Sequence, residues 1–496
     1  MSAESRAPLP AIDRAALLRD LQRLLPAHCI VADTESQRPF ECDALALYRE
    51  LPLLVVLPET VQQVQAVLQL CHQRQVPVVA RGSGTGLCAG AMPHPEGVLL
   101  GLSKLDRIVE IDPLARTAKV QPGVSNLAIS AAAAGHGLYY GPDPSSQIAC
   151  SIGGNVAENS GGVHCLKYGM TVHNILQLKV VTMEGELLTI GSRSPDTPGY
   201  DLLALMTGSE GMLGIVIEVT VKLLPIPQRA QVMLAAFDDV ERAATAVGEI
   251  IAAGIIPSGL EMMDGMALRA AEDFVHAGYP TDAAAILLCE VDGTNEEVSA
   301  AAMRIRDLLR AQGAVEVRTA RNDAERISFW KGRKNAFPAV GRIAPDYYCM
   351  DGTVPRKRLA EVLTTIGRLS SEYGLPVANV FHAGDGNLHP LILYDANQPG
   401  ELMCAEELGA EILELCVRVG GTITGEHGVG HEKLHQMCVQ FTSAELEQFR
   451  ALKKAFDPLG LLNPGKAIPQ PRHCSEYRTL GREVLTAPGS REGSPP

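Results

Sequence analysis

No C-x-x-C pair occurs among the twelve cysteines, which stand scattered from Cys29 to Cys474. The spacing therefore offers neither an iron–sulfur binding run nor a small disulfide scaffold. No stretch reaches the ~18 apolar residues of a membrane-spanning helix, and the opening MSAESRAPLPAIDRAALLRD lacks the continuous apolar core of a secretory signal. A cytoplasmic protein is expected. Basic residues are in the minority, 43 Lys+Arg against 57 Asp+Glu for a net charge of −14, and no basic run stands out. This excludes a nucleic-acid or anionic-membrane surface.

What is present is an ordinary globular composition, 46% hydrophobic and 20% charged over 496 residues, which is too long for a single core. An N-terminal segment, 1–50, is expected to precede a first domain over 51–230. There, Thr60 and Gln63 form a capping box for a helix with Val64, Val67, Leu68 and Cys71 on one face. Strands are expected in VPVVA, GVLLGL, KLDRIVEID and TAKVQPG, a hairpin around Glu184-Gly185, and a last strand ending at Pro225. PIPQRAQ, 225–231, reads as a linker. A second, α+β domain over 231–418 alternates strands with helices at 239–253, 295–312 and 405–418. A C-terminal segment, 419–467, includes a helix capped by Thr442 and Glu445, and the Pro/Gly/Ser-rich remainder, 468–496, is expected to be disordered.

Three glycine-rich loops fall in the first domain. VVARGSGTGLCAGAMP fits G-x-G-x-x-[GA] at Gly84, Gly86 and Ala89, but a dinucleotide turn needs a helix to start there, and Gly90 and Pro93 oppose one. No G-K-[ST] follows, so a P-loop is excluded. The remaining reading is a nest of backbone N–H groups around a pyrophosphate, with the glycines permitting close approach. PDPSSQIACSIGGNVAENSGG and TGSEGMLGIVIEV are the second and third loops. Together they suggest one long ligand gripped along much of its length.

In FHAGDGNLHP, residues 381–390, Asp385-Gly386 between apolar runs reads as a two-residue hairpin turn. Counting outward places His382 opposite His389 on one face, roughly 4.5–5.5 Å apart at Cβ. A shared metal ion, catalysis and plain hairpin packing all fit such a pair.

The R-G-S-G-T-G loop, P-G-V at 122–124, PDPSSQ…SIGGNVAENSGG, GSEGMLG and the late LNPGK together resemble the FAD-linked oxidases of the vanillyl-alcohol-oxidase type. From about residue 50 to 467 the chain is similar to the D subunits of bacterial glycolate oxidases, and more loosely to D-lactate and D-2-hydroxyglutarate dehydrogenases. The resemblance implies a two-part FAD-binding domain, an α+β substrate (cap) domain and a C-terminal helical segment. It places Arg81, Gly82, Ser83, Gly84, Thr85 and Gly86 around the FAD pyrophosphate. Pro142, Ser145, Gly153, Gly154, Asn155 and Ala157 follow in the second loop, with Glu210, Gly214 and Ile217 in the third and Asn463 in LNPGK. Relatives that attach FAD covalently use a histidine in the first loop. Here Thr85 stands in its place, so dissociable FAD is expected, with His164 the other attachment point weighed.

The resemblance also assigns His382, His389 and Glu426 as ligands of a divalent metal and His427 as the catalytic base. Two imidazoles and a carboxylate suit zinc, manganese or iron alike. Glu426 and His427 are neighbours in GGTITGEHGVG, so they can serve one site only if the flanking glycines break the extended chain. Arg333 in FWKGRKNAF offers a fork for a substrate carboxylate, although an exposed helix arginine reads the same way. Phe337 and Cys349 stand where 2-hydroxyglutarate relatives hold polar groups, which favours a small substrate. The expectation is oxidation of glycolate, with D-lactate as the alternative. Electrons would pass to a second flavoprotein-like subunit and an iron–sulfur subunit, the assembly lying peripherally at the inner face of the membrane. A non-haem iron oxygenase leaves the glycine loops unexplained, and a non-catalytic FAD-binding subunit has no use for His427.

Overall fold

The computed structural model describes residues 12–194 and 198–479. In the N-terminal segment Asp13 caps a helix, Arg14–Leu24, whose Leu17 and Leu21 are buried in the first core. That core is built on a four-stranded sheet in the order Ile30–Val31, Leu54–Val56, Val98–Gly101 and Val78–Arg81, the last three parallel. Helix Val61–Arg74 has the expected capping box and buries Val64, Val67, Leu68 and Cys71. After Arg81 the chain runs through turns to the strand Val98–Gly101 with no helix, so the dinucleotide-turn reading is not built.

The second sheet is antiparallel and five-stranded, in the order Ile108–Asp112, Thr117–Val120, Ile215–Lys222, Ile175–Val181 and Leu187–Gly191. The Glu184-Gly185 turn forms as expected, with Gly185 at φ +82°. The linker is shorter than its prolines suggest. Leu224–Pro225 pairs with Leu138–Tyr139, and the next strand is already under way at Arg229. Proline is tolerated at such a sheet edge.

The second half holds a seven-stranded antiparallel sheet in the order Glu316–Thr319, Arg229–Phe237, Ala285–Gly293, Gly259–Asp264, Val377–His382, Asn387–Tyr394 and Asp346–Cys349. Both faces are covered. In Arg229–Phe237, Met233, Ala235 and Phe237 enter one core, while Val232, Leu234 and Ala236 enter the other. A strand buried on both faces reads as a continuous apolar run, which is why VMLAAF shows no alternation.

The histidine hairpin differs from expectation in register. His382 pairs with Asn387 and Val380 with His389, so Ala383–Gly386 form a four-residue loop instead of a two-residue turn. The backbone N–H of Gly386 closes it onto His382 O at 3.1 Å. Each pairing partner moves by two residues, and since strand side chains alternate with period two, both histidines keep one face. They meet as diagonal neighbours, ring centroids 5.0 Å apart.

Helix Glu401–Arg418 leads to an irregular loop, then to helices Leu434–Gln440 and Ser443–Phe456. The chain then returns to the first sheet, where the Val78 N–H donates to Leu461 O and the Asn463 N–H to Val78 O, both at 2.8 Å. Disorder from 468 onward is not what is found. Pro471–Thr479 is helical, and Cys474 is disulfide-bonded to Cys438 of helix Leu434–Gln440. Tethering to a packed helix offsets the polar composition that suggested disorder. Residues 480–496 of the expected tail lie outside the described residues.

Candidate functional site

All three glycine-rich loops line a single cleft of about 390 Å³, whose wall also includes Arg333, His382, His389, Glu426 and His427. The first loop contributes its whole run from Gly82 to Gly86. The second contributes Ser145, Gly153, Gly154, Asn155 and Ala157, and the third Glu210 and Gly214. The first two loops touch because Gly82 lacks a side chain, its Cβ position falling 2.2 Å from Ser151 Oγ. Ser151 caps the helix Ile152–Glu158, accepting from the Gly154 N–H.

Arg81, Pro142, Ile217 and Asn463 do not line the cleft. Arg81 Nη1 donates to Cys42 O at 2.6 Å, and Pro142 O accepts from Asn126 Nδ2 at 3.1 Å. Ile217 is buried in the first core. The Asn463 amide donates to Gly90 O and Glu210 O, at 3.0 and 2.7 Å, tying the first loop to the third.

The two histidines converge on one carboxylate oxygen. His382 Nε2 lies 3.0 Å and His389 Nε2 3.1 Å from Glu426 Oε1, and one ligand atom from each residue falls within 4.8 Å of the others. Burial opposes ionisation of Glu426, but His382 and His389 outweigh it and hold the carboxyl well below the usual range. The hairpin strands Val377–His382 and Asn387–Tyr394 put the histidines there, while Glu426 arrives from a loop that no regular element carries.

His427 stacks on His389, centroids 4.9 Å apart and planes within 8°, and its Nδ1 is buried without a partner. Burial pushes its pKa down to about 4, leaving a neutral imidazole with a lone pair to offer. Gly428 and Gly430 take φ of +85° and +51°, so the chain is not extended and both Glu426 and His427 reach the cleft.

Arg333 is not an exposed helix arginine. It is 1% exposed at the end of helix Asp323–Lys334, with Nη2 2.7 Å from Glu261 Oε2. The contact is an ion pair without hydrogen-bond alignment, and Arg333 Nε and Nη2 both lack a hydrogen-bond acceptor. Arg333 is also part of the cleft wall, where a guanidinium suits a carboxylate.

Two acids escaped the sequence reading. Glu261 Oε1 lies 2.9 Å from His382 Nδ1, and Asp351 accepts from the backbone N–H groups of Gly425, Glu426 and His427. The signal for Glu261 was an acid inside the otherwise apolar GLEMM, a position that burial makes costly unless it is paired. Lys433, fully buried, lies 3.3 Å from Asp351 Oδ2.

Residues 52–191 match the FAD binding domain family, and residues 226–467 match the FAD linked oxidases, C-terminal domain. The glycolate oxidase subunit GlcD of Escherichia coli (strain K12) is 62% identical over 95% of each chain. That of Bacillus subtilis is 40% identical over 86% of this chain and 91% of its own, and a D-lactate dehydrogenase of Anaerostipes hadrus 31% over 91% and 96%. The chain belongs to the FAD-linked oxidases.

The fold agrees. p-Cresol methylhydroxylase superposes with a TM-score of 0.78 at 17% identity, covering 92% of this chain and 97% of its own, and 4-ethylphenol oxidase from Gulosibacter chungangensis with 0.74 at 18%, covering 92% and 98%. As an FAD-linked oxidase the chain is an oxidoreductase, and its cleft suits the cofactor. Glycine loops form the wall, and Asn155 Nδ2, buried with no partner, is a donor awaiting an acceptor. The donor set of His382, His389 and Glu426 likewise fits a divalent ion. His164 is absent from the cleft wall. Its Nδ1 lies 2.9 Å from Asp143 and its Nε2 3.4 Å from Glu290.

Proposed function

We propose that this FAD-linked oxidase oxidises a small 2-hydroxy carboxylate, glycolate first and D-lactate as the alternative, to the 2-oxo acid. The observation that carries the reading is the meeting of His382, His389, Glu426, His427 and Arg333 in the cleft that the three glycine loops line. Close relatives named as glycolate oxidase subunits support the substrate, and the more distant D-lactate dehydrogenase supports the alternative.

FAD, when bound, would supply the acceptor for a hydride's two electrons, and His382, His389 and Glu426 would hold a divalent ion that would make a substrate hydroxyl more acidic. The chain's own groups do the rest. Arg333 in the cleft wall binds the carboxylate, His427 takes the hydroxyl proton, and the cleft walls orient the carbinol carbon. Thr85 in the first loop supports FAD held without a covalent bond. Among the described residues no helix is long and apolar enough to cross a membrane. The electrons need a further carrier, and the E. coli relative is named as a subunit. A second flavoprotein-like subunit and an iron–sulfur subunit are the proposed partners.

The test is metal analysis of purified variants. His382→Ala, His389→Ala and Glu426→Gln should each lose the bound ion and turnover while keeping flavin. Full activity in all three after chelator treatment would overturn the metal reading.

A further inference from the structure

Glu261 lies in strand Gly259–Asp264, next to the strand that carries His382, and is 1% exposed. Its two carboxylate oxygens are divided. Oε1 lies 2.9 Å from His382 Nδ1, and Oε2 lies 2.7 Å from Arg333 Nη2. One side of this carboxylate therefore faces a candidate metal ligand, and the other faces the arginine offered to substrate.

We propose that Glu261 is a positioning residue that couples the metal site to the carboxylate-binding arginine; this rests on the roles given above to His382 and Arg333. Three physical consequences support it. An acceptor at Nδ1 keeps a proton on that nitrogen, so Nε2, which lies 3.0 Å from Glu426 Oε1, is the nitrogen left to ligate an ion held between the two. The buried guanidinium needs a counter-charge, since an unpaired cation in such a place is strongly destabilising. Glu261 supplies it, with Oε2 2.7 Å from Nη2. The charge that Glu261 lends to Arg333 is also not available to His382. Removing the arginine should therefore strengthen the metal site, both by freeing the carboxylate and by removing a cation near a dication.

The experiment uses the flavin-loaded protein, stripped of metal and titrated with zinc ion against a competing chelator, alongside glycolate kinetics at saturating zinc. Glu261→Gln should weaken zinc binding about 10–100-fold, the range for lost partners of metal-bound histidines. It should also raise the KM for glycolate at saturating zinc, while flavin content stays at the parent level. Arg333→Gln is the reciprocal probe and serves if Glu261→Gln fails to hold flavin. It should raise KM and tighten zinc binding, because coupling between two sites acts both ways. A purely structural Glu261 would lower thermal stability and leave zinc affinity unmoved. Zinc binding unchanged within twofold in both variants overturns the coupling. His382→Ala distinguishes the failures: if it binds zinc as well as the parent does, the metal assignment itself falls, and the coupling with it.

Discussion

The backbone N–H of His427 donates to Asp351 Oδ2 at 2.9 Å, and the same carboxylate receives the amides of Gly425 at 3.0 Å and Glu426 at 3.2 Å. Consecutive amides pointing one way usually make a nest for an external anion. Here the chain fills the nest itself, and so holds the candidate base and a candidate metal ligand by their backbones. Burial opposes the Asp351 charge, but neighbouring cations, buried Lys433 at 3.3 Å among them, more than compensate and keep it ionised.

Asp351→Asn should therefore destabilise the protein by about 3 kcal/mol, the scale for breaking a buried ion pair. Lys433 would be left with Glu432, 3.6 Å away, as its nearest carboxylate. Denaturant unfolding measures the loss, and metal content should fall with it as Glu426 loses its hold. Parental stability with full metal content would show that the nest is dispensable.

Much of this was legible in the sequence, and the exceptions have physical reasons. Capping boxes at Thr60 and Thr442 located their helices because capping is local. The histidine pair survived an error in loop length because the error was two residues and strand faces repeat every two. The partners of Glu261 and Asp351 were not legible, since they lie 121 and 76 positions away and meet these acids only in the folded chain. Asn463 was placed at the cofactor by resemblance, whereas its amide is occupied in joining two loops.

Asp43 makes stability depend on pH. Burial raises its carboxyl from 3.8 to about 6. Between those values the folded state binds the proton that the unfolded state has released, so stability should fall as pH rises from about 4 to about 6. The drop attributable to Asp43 is on the order of 3 kcal/mol. Asp43→Asn should flatten this part of the profile. Parallel melting curves for parent and variant across that range would contradict it.

FAD should come away without bond cleavage. Thr85 occupies the first-loop position, and His164 is engaged by Asp143 and Glu290 away from the cleft wall. Acid precipitation should leave the flavin in the supernatant. A yellow pellet would indicate a covalent link.

The most direct measurement of the central claim is anaerobic mixing of the flavin-loaded, metal-replete protein with glycolate, following the visible flavin absorbance in the parent and in His427→Asn. The account predicts that the parent bleaches, and that the variant keeps flavin and metal but bleaches at least 100-fold more slowly, the lower range for a lost general base. A parent that stays yellow with both glycolate and D-lactate, or a variant that bleaches at the parental rate, would contradict it.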